Sequence, residues 1–174
     1  MPPPAEQLNS LPCWHIPNFV LKIEDLDHEG ASIFLENVRP REALKIAVEA
    51  SYTWLYTPLT APRQYVHVHS HLISLEKGSH ALLCPSVKTI TLVLRPFDGV
   101  AHTLGSDTDK EIHFSLDYIS GSASRARDEI IGVLVHEVAH CYQQNALDTC
   151  PDGLIEGIAG VTASTNIDKN GTAH

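Results

Sequence analysis

An H-E-x-x-H pattern lies inside a long apolar run, at Val135-His136-Glu137-Val138-Ala139-His140. On a helix, residues four apart lie one above the other with Cβ atoms about 5–6 Å apart, so His136 and His140 can direct both imidazoles at one metal ion. Glu137 would lie beside that ion rather than bind it, where its carboxylate can take a proton from a metal-bound water. The spacing is typical of a zinc hydrolase.

The sequence around this pattern predicts one helix from Arg125 to Asn145, about 30 Å long. Ser122 and Ser124 can cap its start. A lone histidine on such a helix is more often a hydrogen-bonded core residue, but two at this spacing with a glutamate between them favour a metal site. Apolar residues recur at helical spacing and suit one side of the helix to burial: Ile130, Ile131, Leu134, Val135, Val138 and Tyr142.

A catalytic zinc ion needs a third protein ligand besides water, and two histidines with a glutamate are one established set. The candidate is Glu156, which follows a short connection ending in Pro151-Asp152-Gly153. Asp152 can cap a second short helix, in which Glu156 has apolar neighbours. Burying a carboxylate there is costly unless a partner such as zinc neutralises it. The alternative is a glutamate that faces solvent.

The chain resembles the basic secretory protein family of plants, bacteria and fungi in two blocks, residues 136–143 (HEVAHCYQ) and 151–159 (PDGLIEGIA). The family signature is H-E-x-x-H-x-x-Q followed by P-x-G-L-x-E-G-x-A-D. The likeness is clearest over residues 111–159 and extends from about residue 19. It implies an α+β, zincin-like domain with a twisted mixed sheet packed on the active-site helix, and the activity of a zinc-dependent metallopeptidase.

The resemblance also implies a role for each site residue. His136, His140 and Glu156 correspond to ligands of one Zn²⁺ ion, and Glu137 to the general base that activates water against a peptide or protein substrate. The chain departs from the family at Gly160, where the signature has an aspartate that would orient a ligand histidine. Losing such a partner costs about 10–100-fold in metal affinity or activity. A catalytically impaired relative that binds metal or a partner protein is therefore the alternative function.

Length and composition limit the class of protein. The chain has 174 residues, 43% of them hydrophobic, and a net charge of −9, and it carries no basic stripe for nucleic acid. No apolar run reaches the length of a membrane span, and no signal peptide is visible, so we expect a protein that is intracellular by default; only the family resemblance suggests secretion. We also expect a monomer. The four cysteines are too sparse for a disulfide framework, which leaves Cys141 and Cys150 either free or paired.

The rest of the chain predicts a single domain over residues 19–163, preceded by a Pro-rich extended arm (1–18) and followed by a flexible tail (164–174). We expect one of the last two predicted strands to form the sheet edge that pairs with extended substrate, the alternative being an ordinary inner strand. The predicted elements are strands at 19–24 and 31–35, a helix at 39–56, and strands at 87–94 and 111–119.

A rival metal site needs consideration because His67, His69 and His71 alternate and would share one face of a strand. Together with Glu76 they imitate the metal signature of cupin barrels. The glycines expected to flank that signature are missing, since position 63 is arginine and position 83 is leucine. A solvated polar strand face is the interpretation that we favour.

Overall fold

Four strands and five α-helices form in the residues that a computed structural model of the chain describes, 15–56, 85–143 and 150–170. A short 3-10 turn, Ala123–Arg125, precedes the fourth helix. In chain order the elements are β1 (Asn18–Ile23), α1 (Glu29–Asn37), α2 (Pro40–Tyr56), β2 (Thr89–Arg95), β3 (Ala101–Gly105), β4 (Asp109–Ser115), α3 (Leu116–Gly121), α4 (Ala126–Tyr142) and α5 (Asp152–Asn170).

The strands form one mixed sheet in the order β1-β2-β4-β3. β1, β2 and β4 run parallel, and β3 pairs with β4 in the antiparallel direction. A tight turn joins β3 to β4, and it needs glycine at position 105, because Gly105 has a φ of +123° and a Cβ there would lie 2.3 Å from the main-chain oxygen of Asp109. The α+β class and the mixed sheet expected from the sequence are confirmed.

The core lies between the sheet and the helices, because the strands alternate. In β2, Ile90, Leu92 and Leu94 are fully buried and belong to the core, while Thr91 and Arg95, at the intervening positions, point to the opposite face of the sheet. Helix α4 packs on β3 and β4 and also against α2 and α5. Its predicted apolar side is buried, and the helix that carries the H-E-x-x-H pattern is thereby held against the sheet.

One predicted strand is wrong and another is wrong in part, because local caps start helices there. Residues 31–35, expected to be extended, lie inside α1, whose start is capped by His28 Nδ1 accepting from the Gly30 N–H at 3.0 Å. The strand expected over residues 111–119 ends at Ser115, whose side chain accepts from the Tyr118 N–H and starts α3. At both places the alternation of apolar residues predicted a strand, because a short apolar run fits the pattern of a strand and also that of a helix.

The sheet edge is also not where the sequence placed it. The two strands proposed as edges, predicted at 87–94 and 111–119, correspond to β2 and β4, and both are inner strands of the sheet. β3 forms the edge next to α4. The sequence analysis missed β3 because it has only five residues and is separated from β2 by the bend at Asp98-Gly99. Pairing with β4, which is later in the chain, determines its position.

Helix α5 is longer than the short helix expected and runs to Asn170, past the proposed domain boundary at residue 163. No proline interrupts it, and the hydroxyls of Thr162 and Ser164 donate to carbonyl oxygens one turn earlier. No helix among the described residues has the length and hydropathy needed to cross a membrane. His67, His69, His71 and Glu76, together with residues 1–14 of the arm and 171–174 of the tail, lie outside the described residues.

Helices α1 and α3 lie close together at Gly30, where a Cβ atom would lie 2.2 Å from the main-chain oxygen of Leu116. That oxygen cannot rotate away as a side chain could. We therefore expect Gly30→Ala to lower the free energy of unfolding by about 1–3 kcal/mol through overpacking, measured by urea denaturation. Gly121→Ala is the matched control, because a Cβ there meets nothing within 4 Å. Equal stability of the two variants would contradict this packing.

Candidate metal centre

The apolar residues of helix α4 lie on one face of the helix, and its two histidines lie on another. Leu134, Val135 and Val138 are fully buried in the core, whereas His136 and His140 are half-buried and face a cleft. The T-shaped arrangement of the two imidazoles, with ring centroids 4.7 Å apart, follows from their spacing of four residues. The sequence therefore builds half of the centre on one rigid element.

Helix α5 supplies the third group. It starts after Pro151, whose carbonyl oxygen accepts from the N–H groups of Leu154 and Ile155. Ala159 and Thr162 are buried and anchor the helix, which places Glu156 on the side of the cleft. The Glu156 side chain is 61% exposed before any ion is considered. Its position therefore depends on how α5 packs against α4.

Three ligand atoms converge where these helices meet. His136 Nε2 lies 3.1 Å from His140 Nε2; of the Glu156 carboxylate, Oε2 lies 3.2 Å from His136 Nε2 and Oε1 lies 3.5 Å from His140 Nε2, so either oxygen can complete the three. Four ligands arranged tetrahedrally at about 2.0–2.1 Å from an ion are about 3.3–3.4 Å apart. The observed separations bracket that value. This is the one group of three or more candidate ligands found among the described residues.

The chemistry of these atoms also fits a cation. Two imidazole nitrogens and a carboxylate are a common ligand set of zinc. At about 3 Å, their lone pairs oppose one another unless a proton or a cation lies between them. The structure thus brings together His136, His140 and Glu156, which the sequence proposed as ligands, in a geometry that suits one ion.

Glu137 is not one of the three candidate ligands, and a contact from β3 holds its side chain. Only 6% of its surface is exposed, and Thr103 Oγ1 on β3 lies 2.8 Å from its Oε2 and 3.0 Å from its main-chain oxygen. The hydroxyl has one proton, which these two acceptors share, and the shorter contact, to Oε2, restrains the carboxylate in the cleft. The sequence analysis did not identify Thr103, because its role depends on the pairing of an edge strand that the local pattern does not show.

A cleft of about 1030 Å³ runs between β3 and helices α4 and α5, and it contains the candidate ligands and Glu137. The Ser115 N–H donates to Val100 O, and the Ser106 N–H to Asp109 O, which sets the phase of the β3–β4 ladder. In this phase Ala101, Thr103 and Gly105 direct their N–H and C=O groups away from β4. The cleft therefore has a strand edge with unpaired backbone groups along one wall.

The nearby cysteine is not a fourth ligand. Cys141 is buried, and this burial raises its pKa to about 12, against a smaller opposing effect of the Lys110 charge. Its thiol donates to the main-chain oxygen of Glu137. Cys141 and Cys150 are both free, so the free-thiol alternative describes this structure.

Comparison with known proteins places the chain in a family. A family model described as BSP, a peptidase of plants and bacteria, matches residues 16–167. The match covers far more than half of the chain, so the chain belongs to this family, and the resemblance seen in its two sequence blocks is confirmed. No curated protein and no solved structure matches the chain significantly.

The contact between Thr103 and Glu137 has a measurable consequence. Thr103→Val keeps the shape of the side chain but leaves a buried carboxylate oxygen without its donor. We expect the free energy of unfolding at pH 7, measured with a chelator present, to fall by about 1–3 kcal/mol. Thr103→Ser keeps the hydroxyl and should lose much less. If the valine variant is as stable as the serine variant, the hydrogen bond does not hold Glu137.

Proposed function

We propose that this member of the BSP family is a zinc-dependent metallopeptidase that hydrolyses peptide bonds with a metal-activated water. The observation that carries the proposal is the convergence of His136, His140 and Glu156 at separations suited to one tetrahedral ion. The buried carboxylate of Glu137 lies next to this group in the same cleft. A peptidase family is consistent with that arrangement.

The proposed mechanism divides the work between the ligands and the base. His136, His140 and Glu156 would hold the ion, which when bound supplies Lewis-acid chemistry that lowers the pKa of a coordinated water to about 7. Glu137 accepts a proton from the attacking water and delivers it to the nitrogen of the leaving amine. Thr103 holds one carboxylate oxygen of Glu137 and leaves the other available for this proton.

The proposed substrate is an extended peptide that pairs with β3. The outward-facing N–H and C=O groups of Ala101, Thr103 and Gly105 offer the ladder that an added strand requires. A peptide bound there would lie along the same cleft as Glu137 and the ligand group. This assigns to β3 the role that the sequence analysis gave to β2 or β4.

Metal content and activity test the proposal separately. We expect wild-type protein to retain about one zinc ion per chain after dialysis, measured by plasma mass spectrometry, and His140→Ala to lose it, since two ligands hold an ion poorly. His15→Ala changes an exposed histidine outside the site and is the matched control. Unchanged zinc in His140→Ala would refute the centre.

In the same experiment Glu137→Gln should keep its zinc and lose about 100-fold or more of the rate of peptide hydrolysis, because a general base contributes about 10²–10⁴-fold. An equal residual rate in wild type and in Glu137→Gln would remove the enzymatic proposal and leave only the metal site.

The second candidate function, a catalytically impaired relative, is favoured by Gly160. This residue lies one turn after Glu156, where the family signature has aspartate, and a Cβ at Gly160 would meet nothing within 4 Å. The structure therefore has room at position 160 for a side chain to begin. If Gly160→Asp hydrolyses peptides and wild type does not, the result favours the interpretation that the wild-type protein is catalytically impaired.

We expect Gly160→Asp to fold normally and to bind zinc about 10-fold more tightly than Gly160→Ala, in a competition titration with a chromogenic chelator. The alanine variant is the control, because it changes helix propensity in the same direction without adding a carboxylate. Equal affinities would show that position 160 does not act on the ligands.

A further inference from the structure

We propose that Gln143 is a positioning residue that fixes which nitrogen of His140 faces the ligand group and also ties α5 to the end of α4. The inference rests on the proposed metal centre and concerns the last residue of the H-E-x-x-H-x-x-Q block, to which the proposed mechanism gives no role. Its side chain contacts both helices that contribute ligands. One end meets His140, and the other meets the residue before Glu156.

The orientation of the Gln143 amide follows from the main chain. Gln143 Nε2 lies 3.0 Å from the carbonyl oxygen of Ile155, which can only accept a hydrogen bond. The amide must therefore direct its NH₂ group at that oxygen. The reverse orientation would place two acceptor oxygens face to face.

This orientation selects one tautomer of His140. With the NH₂ group directed at Ile155, Gln143 Oε1 faces His140 Nδ1 at 2.9 Å. That oxygen accepts only, so Nδ1 must carry the proton and donate it. The neutral imidazole then has its lone pair on Nε2, the atom that lies 3.1 Å from His136 Nε2 and 3.5 Å from the Glu156 carboxylate. A metal ligand needs that lone pair, and a hydrogen bond to the other nitrogen is the usual way to hold it in place.

The same amide holds the third ligand through its neighbour in sequence. Gln143 is the first residue after α4, where its backbone becomes extended and its N–H still donates to Ala139 O. The side chain then reaches across to Ile155 in the first turns of α5. Because the Glu156 side chain is largely exposed, this bond restrains its carboxylate indirectly, by fixing the main chain one residue before it.

Two variants separate the two tasks. Gln143→Met removes both hydrogen bonds and keeps a similar side-chain length. Gln143→Glu keeps an acceptor for the Nδ1 proton but places a carboxylate oxygen opposite Ile155 O. Two measurements apply to both: the Kd for zinc by chelator competition, and the tautomer of His140 in metal-free protein from ¹⁵N NMR of the imidazole nitrogens.

We expect Gln143→Met to weaken zinc binding about 10–100-fold and to populate the form of His140 that is protonated at Nε2. Gln143→Glu should keep the wild-type tautomer and still bind zinc more weakly than wild type, because the tie to α5 is lost. If wild type binds zinc and Gln143→Met has the same Kd and the same His140 tautomer, the role of Gln143 is overturned and the metal centre still stands. Failure of wild type to bind zinc would instead overturn the proposed function on which the inference rests.

Discussion

The packing of α4 against the sheet is the constraint on which the rest of this structure depends. The helix must bury Leu134, Val135 and Val138 to complete the core, and this fixes its rotation about its own axis. With the rotation fixed, His136 and His140 can only face the cleft. The apolar contacts thus set the direction of the imidazoles, and a change in core packing would move the ligand group as well.

Electrostatics explains why so many polar contacts surround the ligand group. Two imidazole nitrogens and a carboxylate within 3.1–3.5 Å repel one another unless a proton or a cation lies between them, so contacts from outside the group help to hold it. Buried helix residues do this for the backbone, and the neutral Gln143 does it for the His140 side chain. The neutral Thr103 holds the neighbouring Glu137 in the same way. Because Gln143 and Thr103 are neutral, they orient His140 and Glu137 without changing the net charge of the site.

The sequence predicted the elements that depend on local periodicity better than those that depend on pairing. The helices α2 and α4 and the strands β1 and β2 lie close to the predicted ranges, because long runs of regular spacing leave few alternatives. Prediction was wrong where a cap decided the outcome, as at His28 for α1 and Ser115 for α3. It also missed β3, whose five residues form a strand only because β4 lies beside them.

The residues that could bind a metal were recognisable from the sequence, because the spacing of His136 and His140 is a property of any helix that contains them. It also indicated Glu156 as the third candidate ligand. Three features depend on tertiary packing instead: how close Glu156 comes to the histidines, the contact of Thr103 with Glu137, and the reach of Gln143 to Ile155. These contacts join elements that are distant in sequence or separated by a turn. They are therefore fixed by how the helices and the edge strand pack, which no local spacing records.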